Sequence, residues 1–199
     1  MIWLNRVLSV VVLFSLWGAH EPALAESYRS VQERRPDLFH PETGFRISRH
    51  RAPTPEDIPG NVVPVSTERA ANLIGKGALP IDVSGALISR YDELEGTWLV
   101  QGPRDSLPGA VWLPEVGRGV LDEEMDRYLA SNVTQLTNGN KDHPVLVFCM
   151  ADCWMSWNAA QRIESLGYTT VYWFPEGVDG WRDSKREFEK VLPVSLVVE

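Results

Sequence analysis

Apolar residues along this chain come in short blocks whose period switches between two and about 3.6. The clearest block is "VLVFC", residues 145–149, an unbroken apolar run preceded by the turn-forming "NGNKDHP". That pattern predicts a strand buried on both faces. Shorter strands are predicted at "VVPVS" (62–66), "LPIDVSG" (79–85), within "DSLPGAVWLPEVG" (105–117) and at "TTVYWF" (169–174). Between them lie helical patterns. "TERAANLIGKG" has Ser66 as its N-cap and Gly77 as its stop. "LDEEMDRYLASNVTQLT" (121–137) carries acidic residues in its first turn, where the macrodipole favours them. "WNAAQRIESLG" is closed by Gly167. "DGWRDSKREFEKVL" is expected to hold the last helix, with Lys185, Arg186 and Lys190 on a solvated face. Residues 86–105 read as irregular or weakly structured. Strands alternating with helices imply an α/β domain with a central, mainly parallel sheet and helices on both faces.

The amino terminus departs from this pattern. Arg6 is followed by the apolar run "VLSVVVLFSLWGA" and then by "ALA" at Ala23–Ala25. This is the layout of a secretory signal peptide, residues 1–25, cleaved after Ala25. The run is about 13 residues, short of the roughly 20 of a spanning helix, which disfavours an uncleaved anchor. The mature chain then starts at Glu26 in an oxidising compartment, the periplasm, with no membrane span left. Residues 26–60, rich in Arg, Pro and His, read as an irregular, extended N-terminal arm, either a solvated strap or a docking patch. Residues 61–199 form the folded domain.

The net charge of −8 and pI near 5.1 argue against a nucleic-acid partner. Hydrophobic residues at 44% and charged residues at 23% are a globular balance.

Both cysteines sit in one place. Cys149 ends the central strand, and Cys153 follows within "CMADCW". Ligand sites of open α/β sheets gather at such carboxyl ends. Loop amides and the next helix N-terminus there lower a thiol pKa, so Cys149 is expected to be the thiolate nucleophile. Asp82, also at a strand end, either orients the loop or caps its own neighbours. Trp154 and Trp157 either shield the thiols, offer a docking surface or fill the core. Met150 and Met155 bracket the thiols. The pair with thioethers suits Cu(I), and a methionine filling a core gap is the plainer alternative. His143 lies at the strand's opposite end and reads as a turn residue.

The order of Asp82, "SLPGAVWLP", "VLVFC" and "AAQRIESLGYTTVYWFPEGVDGW" resembles a rhodanese domain over about residues 61–185. The resemblance implies that fold, matches Cys149 to the sulfur-carrying cysteine, and matches Gly177 and Trp181 to the terminal "G…W". The active loop Met150, Ala151, Asp152, Cys153, Trp154, Met155 has no Lys or Arg, so an anion such as thiosulfate lacks charge-assisted partners there. Cys-x3-Cys-Trp behind a secretion signal closely resembles the periplasmic CxxxCW proteins associated with pyrroloquinoline-quinone (PQQ)-dependent alcohol catabolism. That resemblance implies a thiol redox or sulfur-transfer accessory, with a quinoprotein dehydrogenase or cytochrome as partner. In this reading Cys149 carries a persulfide and Cys153 resolves it. The rival readings are a Cu(I) or redox-cofactor module held by Cys149 and Cys153, as in Sco-type copper chaperones, and a non-catalytic partner whose cysteines form a structural bridge.

Overall fold

The computed structural model of the chain describes residues 26–86, 91–92 and 97–196. The predicted signal segment therefore lies outside the described residues. The elements in order are α1 (Tyr28–Arg34), a 3-10 turn (Pro36–Leu38), β1 (Val63–Pro64), α2 (Thr67–Gly75), β2 (Leu79–Asp82), β3 (Tyr91–Asp92), β4 (Thr97–Trp98), β5 (Arg104–Ser106), β6 (Val111–Trp112), α3 (Glu123–Leu136), β7 (Val145–Phe148), α4 (Trp154–Ser165), β8 (Val171–Phe174), α5 (Gly177–Asp183) and β9 (Glu189–Val191).

Five strands form one parallel sheet in the order β1-β8-β7-β2-β6. The apolar run of β7 is fully buried at the centre, as its lack of alternation predicts. Its period of two splits the core into two layers. Val145, Val147 and Cys149 pack with α3 and α4 through Leu129, Val133, Trp157, Ala160 and Ile163. Leu146 and Phe148 pack with α2 and α5 through Ala70, Leu73, Val178 and Trp181. Two helices start at side-chain caps: Ser66, as expected, accepts the Arg69 amide, and Asp122 accepts the Met125 amide. No helix among the described residues is long and apolar enough to cross a membrane.

Two segments differ from expectation. The last helix ends at Asp183, and the backbone turns at Lys185 with φ of 54°. Residues 189–191 instead form β9, antiparallel to β5. The alternating charges read as a helix face are a strand edge, with Lys190 paired to Asp105 at 2.9 Å and Phe188 turned onto the α2/α5 layer. The arm is also more ordered than its sequence implies. It opens with α1, capped by Ser27, and buries Leu38 and Phe39 in the α4 layer. Arg46 is buried rather than solvated. Its amide donates to Asn158 Oδ1 at 2.9 Å, its carbonyl accepts from Asn158 Nδ2 at 2.9 Å, and its guanidinium lies 4.7 Å from the Trp154 ring centre.

Candidate functional site

The site grows from the carboxyl end of β7. Because β7 alternates, Cys149 continues the Val145–Val147 face and points under α4. Cys149 is 0% exposed and Cys153 4%. Both are free thiols. Cys153 is the N-cap residue of α4, at the end of the helix where backbone amides lack intrahelical partners; the Trp154 amide is taken by the His50 carbonyl at 2.8 Å. The Cys149 thiol donates to the Cys153 carbonyl oxygen at 3.4 Å.

This arrangement reverses the expected order of acidity. Burial pushes the Cys149 thiol well up, and the adjoining Cys153 sulfur raises it further. The hydrogen bond from Cys149 lowers Cys153, and so do the amides of Met155 and Met150 and the charge of Arg51, which together outweigh burial and bring it to about 7. The amide field at the strand end exists, but it converges on the second cysteine, because side-chain alternation sends the first one under the helix.

The rest of the loop is held from outside. Asp152 adopts a left-handed φ of 54°, a conformation Asp tolerates better than most residues. The Ala151 amide donates to Asp179 Oδ2 of α5 at 3.0 Å. Met150 bridges to Gly177, and the Val178 amide donates to the Cys149 carbonyl at 3.0 Å. Gly177 has φ of 51° and lies against the Cys149 backbone so closely that a Cβ would collide with it. Ser156 Oγ, buried below the loop, donates to the Cys153 carbonyl at 3.2 Å and accepts from Trp173 Nε1 at 3.0 Å.

Above the loop lies the arm. Arg51 and Cys153 form an antiparallel bridge. The Ala52 amide donates to the Asp152 carbonyl at 3.0 Å, and the Trp154 amide to the His50 carbonyl at 2.8 Å. Indole nitrogens of Trp154 and Trp157 donate to the carbonyls of Pro53 and Asp57 at 3.2 and 3.1 Å. Both rings are fully buried and pack edge-to-face on each other, so they are core and arm anchors, not a docking surface. Met155 is buried and Met150 half-buried, both in the core packing.

Asp82 does not reach the loop by any hydrogen bond among the described residues. Its carboxylate accepts the Ser84 amide at 2.9 Å and the Ser106 hydroxyl at 2.7 Å, with Arg104 at 3.6 Å. It ties β2 to β5. Among the described residues no cluster of three or more His, Cys, Asp or Glu side chains could hold a metal ion. A Cu(I) site there would rest on sulfur donors, with Cys149 and Cys153 as its thiols. Sequence reasoning missed Arg51, Ser156 and Asp179. Asp179 stands in the quoted "PEGVDGW", and Ser156 sits in the first turn of a helix that begins three residues before the predicted one. Arg51 carried no local signal.

A family model for the rhodanese-like domain matches residues 66–184. Among solved structures the chain is similar to the 3-mercaptopyruvate sulfotransferase of Escherichia coli, with TM-score 0.49 and 18% identity over 67% of this chain and 52% of that one. It is also similar to the polysulfide-sulfur transferase of Wolinella succinogenes (TM-score 0.41, 16% identity, 65% and 79% covered). A third similar structure is the thiosulfate sulfurtransferase of Pseudomonas aeruginosa (TM-score 0.44, 18% identity, 64% and 20% covered). No curated protein matches the chain. The matched span holds both cysteines and Asp179; the arm over the loop lies outside it.

Proposed function

The chain belongs to the rhodanese-like domain family, whose fold supports sulfur transfer and thiol chemistry, and on that premise we propose that it is a two-thiol sulfur-transfer or thiol-redox protein in which Cys153 reacts first and Cys149 resolves. The observation that carries this is the Cys149 thiol donating to the backbone of a more acidic, less buried Cys153 at the α4 N-cap. The Cys153 thiolate attacks the sulfane sulfur of a donor. A new S–S bond forms, the donor's own bond to that sulfur breaks, and the electron pair leaves with the donor fragment. The Cys149 sulfur then attacks the inner sulfur of the Cys153 persulfide. A Cys149–Cys153 disulfide forms, and the outer sulfur leaves with the Cys149 proton as hydrosulfide. An external dithiol, itself oxidised to a disulfide, restores both thiols.

A periplasmic setting for this chemistry is part of the proposal and is supported by the leader-like pattern of the first 25 residues. An accessory role in PQQ-dependent alcohol oxidation, beside a quinoprotein dehydrogenase or cytochrome, rests on the Cys-x3-Cys-Trp resemblance. The test is to treat reduced Cys149→Ser protein with a sulfane-sulfur donor and map the adduct by mass spectrometry. One added sulfur on Cys153 is expected; no adduct on Cys153 contradicts the proposal.

A further inference from the structure

The loop itself contains no cation, yet its second thiol is flanked by one from a distant part of the chain. Arg51 is 102 positions from Cys153 in sequence and opposite it in the antiparallel bridge. The two hydrogen bonds of that bridge, from Ala52 to Asp152 and from Trp154 to His50, flank the pair instead of joining it. That is the non-hydrogen-bonded kind of pair. Its Cα atoms lie about 4.5 Å apart and its side chains leave the same face at their closest approach. Arg51 is exposed and makes no ion pair with any described residue. Its neighbour Arg46 is spent on the Ser48 carbonyl and the Trp154 ring. An exposed, planar guanidinium is thus anchored by its backbone beside the less buried of the two cysteines. Its fork suits a carboxylate, sulfinate or sulfonate.

We infer that Arg51 is the specificity-determining residue of the thiol site, recognising an anionic headgroup on the molecule that exchanges sulfur or electrons with Cys153. The inference rests on the reading of Cys153 as the reacting thiol. It assigns the arm a role besides packing. The arm brings the missing cation to a loop whose Ala151 amide is already taken by Asp179. The bound headgroup lies at the arm-side rim of Cys153, so its charge is met by a side chain.

Charge-matched alkylating agents test this without an identified ligand. The rates at which Cys153 of the reduced full-length chain reacts with iodoacetate and with neutral iodoacetamide are measured at one pH. Both need the thiolate, so their ratio cancels any effect of Arg51 on acidity. Arg51→Gln is expected to lower the iodoacetate-to-iodoacetamide ratio about fivefold, the size of an exposed charge pair. Arg51→Lys should retain most of the ratio, and the difference should fade in molar salt. An unchanged ratio in Arg51→Gln overturns the inference and leaves the thiol reading intact. Failure of both reagents to label Cys153 in the wild type removes that reading, and the inference with it.

Discussion

Cys149 donates its S–H to the carbonyl oxygen of Cys153 at 3.4 Å, across a loop turned by Asp152. The Cys149 thiol adjoining the Cys153 sulfur, the Met155 and Met150 amides and the charge of Arg51 make Cys153 the more acidic of the pair. Cys153 should therefore alkylate first. Its rate should rise about tenfold per pH unit below pH 7 and level off above it, since its pKa lies near 7. Cys149, shifted upward by burial, should stay unlabelled across that range. Peptide mapping of partly alkylated protein between pH 5 and about 9 reads both rates.

The largest cause of the lowered Cys153 pKa is the hydrogen bond from Cys149. Cys149→Ala removes it, so the Cys153 pKa should rise toward its ordinary value. At neutral pH the mutant should alkylate more slowly, and at alkaline pH at a similar rate. A pH profile that does not move would show that the amides alone set the acidity.

Asp179 holds the Ala151 amide and puts a carboxylate beside the loop. Thiosulfate:cyanide sulfur transfer by the wild type should be weak for that reason. Asp179→Ala frees the amide and removes the charge. A gain in kcat/KM of several-fold is expected in a thiocyanate assay, with Asp179→Asn intermediate.

Asn158 bonds both backbone groups of Arg46 and the Gly117 carbonyl at 2.8 Å. Asn158→Ala removes the partner of the Arg46 amide and of the Gly117 carbonyl, while the Arg46 carbonyl keeps His50 Nε2 at 3.0 Å, at a cost of about 1–3 kcal/mol. Cleavage of the arm in limited proteolysis should quicken. Trp154→Ala should cost more, about 3–5 kcal/mol in denaturant unfolding, because a fully buried ring is lost.

The parallel sheet was legible because β7 is a pure apolar run and because Ser66 caps its helix by local chemistry. The "KREFEKV" stretch was not, since alternating charges suit a helix face and a strand edge alike, and only the partner β5 decides. The loop was legible as a two-thiol site from "CMADCW". Which thiol meets the amides was not, because that depends on the strand's phase beneath α4. Arg51 was invisible for a different reason. Its closeness to Cys153 comes from the anchoring of the arm by Asn158, Trp154 and Trp157, a contact no local spacing announces.

The account turns on the two sulfurs acting in sequence, and mass spectrometry of the reduced protein after one equivalent of a sulfane-sulfur donor tests this most directly. The wild type should lose two hydrogens and map as a Cys149–Cys153 disulfide with hydrosulfide released, while Cys149→Ser should gain one sulfur on Cys153. A wild type that keeps both free thiols, or a stable persulfide on Cys149 with Cys153 untouched, would contradict it.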